Sequence, residues 1–474
     1  MLLPTSLIFL FALLRAKCHS FDENSLDLFE AESPFENDEL PSLDLSENEL
    51  TFGNEEPLLL TPFLTASSAN TAQNKASVKS FAGNLNSYSG FFTINETHNS
   101  NLFFWFFESE KKPKTDPLIL WLHGGPGYSS LLALFGENGP YRVEEGNVIL
   151  ANNSWTKKHN VLYIENPVGT GYSFTDKSAG YPKTTKEAAE HLYEALIQFF
   201  GMFPDYKKNE FYLAGQSYAG KYIPKLARII YEKNNEKKTV IKINLKGLFI
   251  GAGFIDPENQ LHFSEYFYEH GIFDTEEKNE VQKFENEAKI SIKRQEYKKA
   301  QSFLNKIKTK LIKCGYKQPF IDVLKPRYNL NDFNEASKFL QKQSTRKELH
   351  VGSKKFQDKR QVCWHSKPDN LDSVSSDLSE VVKYYKVLLY SGQFDMVIPP
   401  VQVENAIASL SWVGAKAFST VATYERWYVD GQLAGFMKVY KNLIQVMIRR
   451  ANHLIIASQP KWMENLISWF TSLN

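Results

Sequence analysis

The amino-acid sequence predicts an α/β fold, with a mostly parallel mixed sheet covered by helices on both faces. Short apolar runs alternate with amphipathic helical segments, and short glycine-rich links join them. Runs such as 117–122 are apolar throughout, which is typical of parallel strands buried on both faces. A serine between small residues, Ser217, stands where an apolar run passes into a helical segment. All three features favour a sheet whose functional side chains follow its strands.

Length and composition indicate a globular protein with one large domain and an insertion, or two to three ordinary domains. The chain has 474 residues, of which 42% are hydrophobic. Its formal net charge of +1 hides an asymmetry. Residues 21–56 carry 13 acidic side chains and no Lys or Arg, whereas 57–474 carry 53 basic and 41 acidic ones, a formal +12. Residues 21–56 therefore form an acidic leader, and residues 57–474 form a basic body.

The first 20 residues are predicted to be a secretory signal peptide. The apolar core of residues 1–14 is too short for a comfortable membrane span, and small and polar residues follow at 18–20. We therefore expect cleavage near residue 20 and a secreted, lysosomal or vacuolar location. A signal anchor is the alternative, because the first residues lack a Lys or Arg. No later stretch is long and apolar enough to span a bilayer.

The acidic leader, residues 21–56, lacks any basic counterweight and cannot bury enough apolar surface to fold alone. Two interpretations stay open. It is either a disordered solubilising tail or a propeptide whose carboxylates are attracted to the basic body.

Passage through the secretory pathway predicts two covalent features. The mature chain holds only Cys314 and Cys363, which allow one pairing, and we expect that disulfide to form. Closing a loop of that size is worth about 4 kcal/mol in the chain-entropy model. Asn95 and Asn152 begin N-glycosylation sequons and suit an extracytoplasmic glycoprotein.

The predicted core of the fold has two parts, residues 57–255 and 380–474. The first part begins with an antiparallel pair of strands and continues as alternating strands and helices. Its predicted strands are 88–94, 101–107, 117–122, 161–164, 211–213 and 243–251, and its predicted helices are 185–203 and 221–233. The second part comprises a strand at 386–392, a hairpin across the Asp-Gly turn at 429–431, a strand at 443–448 and a helix at 461–470.

Residues 256–379 differ from the core on both sides of them. They are rich in Lys and Glu, show helical patterns and contain no comparable apolar strand. We predict a helical insertion that forms a cap over the C-terminal edge of the sheet, where the active sites of α/β proteins lie. Both cysteines of the predicted disulfide fall inside it.

Ser217 has the setting of a nucleophile elbow, a tight turn that requires small neighbours. The usual pattern is G-x-S-x-G, and here Ala219 occupies the last position. A serine nucleophile needs a base, and the base needs an acceptor that holds its tautomer. In α/β-hydrolases these follow in the order serine, acid, histidine at strand ends, and Asp395 and His453 fit that order.

Each of these residues also has a plainer interpretation. Asp395 suits a turn or a helix N-cap, and His453 suits a buried structural histidine. Their order and their positions after strands favour the triad. The N–H of Tyr218 and the glycine-rich loop 123–127 would supply the oxyanion hole. A phosphate-binding loop is the rival interpretation of 123–127, but no Lys-Ser/Thr follows it.

Several long motifs resemble those of serine carboxypeptidases, and most closely the vitellogenic carboxypeptidase-like branch. The resemblance runs from about Leu59 to the end of the chain and is weaker across the insertion. Its motifs are WLHGGPGYSS at 121–130, ENPVGTGYSF at 165–174, GQSYAGKYIP at 215–224, LYSGQFD at 389–395 and WYVDGQLAG at 427–435.

The resemblance implies a peptidase that releases single residues from the C-termini of peptides and proteins through an acyl-enzyme on Ser217. It implies Asp395 and His453 as the rest of the triad, and Gly125 and Tyr218 as oxyanion donors. It also implies a network that binds the free carboxylate of the substrate, at Trp121, His123, Glu137 and Gln216.

No cofactor is implied. The sequence shows no metal signature, and its dispersed positive charge predicts no nucleic-acid partner. The oligomeric state stays open, a homo-oligomer included.

Two positions of that network depart from the family pattern. The family usually has Asn or Gln at the position of His123 and Glu at that of Gln216. A Glu must be protonated to bind a carboxylate, whereas an amide donates at any pH. We hypothesise activity to higher pH, with any acid preference carried by His123. Two alternatives stay open, an esterase or acyltransferase of the same fold and a catalytically impaired scaffold. Asn452 is a third departure, since relatives usually have Gly before the histidine.

Overall fold

One mixed sheet of eleven strands runs through the residues described by the computed structural model, which are 55–64, 68–357, 362 and 370–473. Its strand order is β1-β2-β3-β7-β4-β8-β9-β10-β13-β12-β11, and β5 and β6 form a separate hairpin. The strands are β1 Ser77–Val78, β2 Ser87–Asn95, β3 Ser100–Phe107, β4 Leu118–Leu122, β5 Tyr141–Glu144, β6 Asn147–Leu150, β7 Asn160–Ile164, β8 Phe211–Gln216, β9 Leu245–Gly251, β10 Lys386–Gly392, β11 Thr423–Val429, β12 Gln432–Tyr440 and β13 Leu443–Ile448.

The centre of the sheet is parallel and its edges are antiparallel. Strands β7, β4, β8, β9, β10 and β13 pair in parallel, each with the next. Antiparallel strands complete both edges. Every residue of β4, β7 and β8 is buried, which explains why these strands are continuous apolar runs. The predicted α/β class and the mostly parallel mixed sheet are confirmed, and the start of a predicted strand shifts by at most two residues, at β9.

Helices occupy the connections between the parallel strands. The helix predicted at 185–203 spans Thr185–Met202, and Thr184 caps it by accepting a hydrogen bond from the Glu187 N–H. The described helices are Ala69–Ala76, Ser130–Gly136, Thr185–Met202, Ala219–Asn235, Pro257–Gln260, Ser264–Glu269, Thr275–Lys293, Tyr297–Lys313, Asn331–Gln341, Gln343–Glu348, Ser375–Val381, Pro400–Ala408, Ala415–Thr420, Ile455–Ser458 and Pro460–Ser472. Short 3-10 turns lie at Thr61–Phe63, Trp155–Lys157, Ser178–Gly180 and Pro204–Lys208. None of the described helices combines the length and the apolarity that crossing a bilayer requires.

Between positions 256 and 379, the elements named among the described residues are all helices. The longest two, Thr275–Lys293 and Tyr297–Lys313, pack against each other. Asp274 and Glu277 form a capping box at the start of the first one. The division of the chain into core and cap domains remains a prediction. The predicted signal peptide and residues 21–54 of the acidic leader lie outside the described residues.

The structure does not support the predicted disulfide between Cys314 and Cys363. Cys314 is a free cysteine at the end of helix Tyr297–Lys313, and its Sγ lies 3.7 Å from Glu277 Oε1 on the neighbouring helix. Burial and the Glu277 carboxylate raise the pKa of this thiol to about 11. Cys363 lies outside the described residues. The thiol therefore faces an acidic side chain, an environment that disfavours the reactive thiolate.

Candidate active site

Ser217 lies at a sharp turn directly after β8. Its φ of 58° falls in the left-handed region, which a residue with a side chain rarely adopts. The turn is held by its own main chain, because the Ser217 N–H donates to Gly251 O at 2.8 Å. Its carbonyl accepts from the N–H groups of Gly220 at 2.9 Å and Phe254 at 3.0 Å. Helix Ala219–Asn235 begins two residues later, so the serine has the strand-to-helix geometry of a nucleophile elbow.

Close backbone contacts explain which small residues this turn requires. A Cβ at Gly215 would lie 2.3 Å from the carbonyl oxygen of Leu122 on β4. A Cβ at Gly220 would lie 2.7 Å from the N of Phe254. Ala219 is tolerated because its methyl group packs over the bare Cα of Gly215. The second glycine that the turn needs is therefore Gly220, one residue beyond the usual position.

Asp395 lies just after β10 and is fully buried. Its Oδ1 accepts from the N–H groups of Val397 at 2.8 Å and Ile398 at 2.9 Å. Its Oδ2 accepts from His453 Nδ1 at 2.8 Å. The carboxylate thus accepts hydrogen bonds from its own turn, as a turn aspartate would. It also binds the histidine, as the acid of the predicted triad would.

His453 follows β13, and its N–H donates to Ile321 O at 3.1 Å. Because Nδ1 faces Asp395, the neutral ring carries its proton there and leaves Nε2 as an acceptor. His453 and Ser217 line one cavity of about 680 Å³. Its other lining residues are His123, Gly124, Gly125, Tyr128, Leu132, Gln216, Pro319, Ile321, Leu330, Phe333, Val397 and Leu454. Side chains that follow β8, β10 and β13 therefore meet at the carboxyl edge of the sheet.

The glycine-rich loop after β4 lies directly against the nucleophile. A Cβ at Gly124 would lie 2.6 Å from the Cβ of Ser217 and 3.0 Å from the N of Tyr218. Gly125 has a φ of 118°, which favours glycine, and it lines the same cavity. The two backbone segments that were predicted to form an oxyanion hole are thus adjacent.

The four residues of the predicted carboxylate-binding network are all buried, and three of them, His123, Glu137 and Gln216, contact one another beside Ser217. Gln216 Nε2 donates to Glu137 Oε1 at 2.8 Å and lies 3.4 Å from His123 Nδ1. Among the described side chains of this cluster, three buried polar atoms have no hydrogen-bond partner: Trp121 Nε1, Glu137 Oε2 and Gln216 Oε1. His123 and Gln216 line the cavity. Buried polar atoms without partners are costly, so the cluster has hydrogen-bonding capacity for a polar group of a ligand.

Burial keeps this cluster electrically neutral. It raises the pKa of Glu137 to about 8, although His453, Gln216 and Arg142 act in the opposite direction. Burial, helped by the nearby His453, lowers the pKa of His123 to about 3. At neutral pH Glu137 is therefore protonated and His123 is uncharged, and their 3.9 Å approach is not an ion pair. A neutral His123 does not support the hypothesis that this residue carries an acid preference, because that hypothesis assumed a solvated imidazole.

Sequence reasoning missed the apolar wall of the cavity. Pro319, Ile321, Leu330 and Phe333 come from the insertion and face the catalytic side chains. Pro319, Ile321 and Leu330 lie outside the described helices, so no periodic pattern could have placed them at the cavity. A second missed group is Glu165, which is fully buried and accepts hydrogen bonds from the Ser129 hydroxyl and the Tyr172 N–H.

The model of one protein family, described as serine carboxypeptidase, matches residues 79–473. The chain belongs to the serine carboxypeptidase family. This confirms the family predicted from the motifs around Ser217 and supports the predicted enzyme class, a serine-type carboxypeptidase.

Relatives from animals cover most of the chain. It is 38% identical to venom serine carboxypeptidase from Apis mellifera over 427 residues, which are 88% of this chain and 91% of that protein. It is 36% identical to vitellogenic carboxypeptidase from Aedes aegypti over 436 residues, 88% and 90% of the two chains. The probable serine carboxypeptidase CPVL from Homo sapiens is 36% identical over 433 residues, 88% and 89% of the two chains. The predicted branch is thus confirmed.

A solved structure shows the same fold. The chain matches Kex1(delta)p, a prohormone-processing carboxypeptidase from Saccharomyces cerevisiae, with a TM-score of 0.74 and 22% sequence identity. The match covers 84% of this chain and 96% of the yeast chain. The α/β-hydrolase fold predicted from the order of Ser217, Asp395 and His453 is therefore confirmed.

Proposed function

We propose that this protein removes the C-terminal residue from peptides and proteins through an acyl-enzyme on Ser217. The observation that carries the proposal is the hydrogen bond from His453 Nδ1 to Asp395, made beside a cavity that the histidine shares with an elbow serine. A buried carboxylate, an imidazole in a fixed tautomer and a serine that lines a cavity are the three parts that serine acyl transfer requires.

The reaction follows from the positions of these groups. His453 Nε2 takes the proton of the Ser217 hydroxyl as its oxygen attacks the scissile carbonyl carbon. The N–H groups of Gly125 and Tyr218 stabilise the oxyanion, each worth about 3 kcal/mol by donor removal. The imidazolium then protonates the leaving amine, and the C-terminal amino acid departs. Water, deprotonated by His453, attacks the acyl-enzyme and restores Ser217.

The polar cluster beside Ser217 would bind the free carboxylate of the substrate. The indole N–H of Trp121, the amide N–H of Gln216 and the protonated carboxyl of Glu137 can donate hydrogen bonds there. A charged Glu137 would repel the substrate, so its raised pKa favours binding over the acidic and neutral range. These donors would satisfy a carboxylate that is otherwise costly to bury, whereas an amidated chain end has a single acceptor oxygen and would leave buried donors unpaired.

The cavities flanking the triad favour apolar substrates. The wall of the first is formed by side chains such as Leu132, Leu330 and Phe333. A second cavity, of about 730 Å³, shares Val397 with it and is lined mainly by apolar side chains: Phe254, Leu261, Phe263, Leu304, Ile307, Leu311, Phe320, Met396 and Ile398, with Lys308 and Gln402. We infer that large apolar residues are preferred next to the scissile bond, because their burial contributes about 25 cal/mol per Å².

We further propose that the protein passes through the secretory pathway to a secreted, lysosomal or vacuolar location, with residues 1–20 as its signal peptide. Asn152 is exposed beyond β6, and Asn95 is half-buried at the end of β2, where its Oδ1 accepts from the His98 N–H. Glycosylation should therefore be more complete at Asn152. To test this, the secreted variants Asn152→Gln and Asn95→Gln are each treated with an endoglycosidase, and the mass lost is measured. Asn152→Gln should lose less mass than Asn95→Gln.

Two measurements test the proposed function. A fluorophosphonate probe should label the protein, and Ser217→Ala should abolish the labelling. Blocked dipeptides with free C-termini should then be hydrolysed, whereas matched amides should not. Labelling without any preference for the free carboxylate would indicate an esterase or acyltransferase. A folded protein that does not label would indicate a catalytically impaired scaffold.

A further inference from the structure

The loop that carries His453 is tied to the insertion by the side chain before it, Asn452. This side chain is almost fully buried, and both of its polar atoms are used. Its Oδ1 accepts from the Leu454 N–H at 3.0 Å and from the Ser458 hydroxyl at 2.7 Å, which holds the start of helix Ile455–Ser458. Its Nδ2 donates to Asp322 Oδ2 at 3.2 Å. One side chain therefore links the histidine loop to a residue 130 positions earlier.

Asp322 belongs to a segment of the insertion, residues 321–323, that contacts both catalytic loops. Asp322 forms an isolated antiparallel bridge with Asp395, and Val323 N–H donates to Phe394 O at 3.0 Å. On the other side, Ile321 O accepts from the His453 N–H at 3.1 Å. The Asp322 side chain is itself fixed, since its Oδ1 accepts from the Leu324 N–H at 3.0 Å. Residues 321–323 therefore contact both the loop of Asp395 and the loop of His453.

The backbone at Asn452 does not require glycine, because its φ is not positive. A residue with a side chain can therefore stand at this position, and the asparagine side chain makes the hydrogen bond to Asp322. A glycine here would keep the main-chain contacts but lose every hydrogen bond of the Asn452 side chain. The residue that relatives usually carry at this position therefore cannot make the link.

We propose that Asn452 and Asp322 are positioning residues that hold His453 in line between Asp395 and Ser217. The proposal rests on the proposed role of Ser217 as nucleophile. His453 must keep Nδ1 on Asp395 while Nε2 reaches the serine, and a displacement of about 1 Å can cost about a hundredfold in rate. The Asn452–Asp322 hydrogen bond therefore restrains the loop in addition to the hydrogen bond between His453 and Asp395.

The test compares the rate of fluorophosphonate labelling of Ser217, and kcat and KM for a blocked dipeptide, in wild-type protein and in Asn452→Gly. Labelling and kcat should fall by about ten- to a hundredfold while KM stays within about twofold, because substrate binding does not use this pair. Asn442→Ala is the matched control. Asn442 precedes β13 as Asn452 follows it, and its Nδ2 donates to Val382 O at 3.0 Å, so its loss should leave the rates unchanged.

Exchanging the two side chains separates positioning from folding. Asn452→Asp should be slower than wild type, since it places two carboxylates together. The double variant Asn452→Asp with Asp322→Asn restores one donor and one acceptor, and its labelling rate should recover to within about threefold of wild type. The proposal is overturned if Asn452→Gly labels as fast as wild type, if Asn442→Ala is equally slow, or if the exchange gives no recovery. Wild-type protein that does not label would instead refute the proposed function.

Discussion

Replacing Gln216 by Glu should make substrate binding depend on pH. Gln216 Nε2 lies 2.8 Å from Glu137 Oε1, and both side chains are buried. The replacement therefore sets two carboxyl groups against each other. Two such groups cannot both ionise at this distance, and a substrate carboxylate would add a third negative charge. Binding of a free chain end would then require a proton on each carboxyl group.

The size of the effect follows from the number of protons required. The amide of Gln216 needs none, and Glu137, with its pKa raised to about 8, is protonated below that pH. In Gln216→Glu, one more proton must be bound above the pKa of the new carboxyl. Each further pH unit should lower kcat/KM about tenfold relative to wild type, which is about 1.4 kcal/mol.

The assay is the hydrolysis of a blocked dipeptide with a free C-terminus between pH 4.5 and 8. The informative quantity is the ratio of kcat/KM in Gln216→Glu to that in wild type, because this ratio cancels the effects of pH that the two proteins share. Fluorophosphonate labelling of Ser217 serves as the control, since that probe has no carboxylate to bind and its relative rate should stay level. A ratio that does not change with pH would refute the role of Gln216 in carboxylate binding.

Three further predictions concern the triad, the elbow and stability. Asp395→Asn should lower kcat about 10⁴-fold, because the amide favours the wrong tautomer of the histidine; a loss below tenfold in a steady-state assay would contradict the triad. Gly215→Ala should lower the melting temperature by several degrees, since the added Cβ would lie 2.3 Å from the Leu122 oxygen, and an unchanged melting curve would contradict that contact. Four buried groups predict how stability changes with pH: the pKa values of Glu137 and Glu165 are raised to about 8, and those of His123 and His159 are lowered to about 3 and about 4. The two acids stabilise the fold less and less as the pH rises from about 4.5 to 8, whereas the neutral histidines stabilise it more until the pH passes about 6.5. Together these groups should lower the free energy of unfolding by roughly 2 to 3 kcal/mol between pH 6.5 and 8. Chemical denaturation at each pH measures this fall, and Glu165→Gln should halve it; equal slopes in the two proteins would count against the raised pKa of Glu165.

Much of the core could be predicted from the sequence because each signal is local. A strand such as β4 is buried on both faces, so its whole length is apolar and its ends can be recognised. Ser217 could be recognised because a strained turn requires small neighbours in consecutive positions. The hairpin Tyr141–Glu144 and Asn147–Leu150 escaped prediction because each strand has only four residues and half of the eight residues are exposed.

The sequence by itself determined the order of the chemistry: a serine, an acid and a histidine, each after an apolar strand, with a glycine-rich loop before them. Tertiary structure decided the ionisation of the side chains around them. His123 is neutral because it is buried, and Cys314 is a free thiol beside Glu277. Asn452 reaches Asp322 across 130 residues of chain. Burial and long-range contacts depend on which segments meet in space, and no pattern within one segment carries that information.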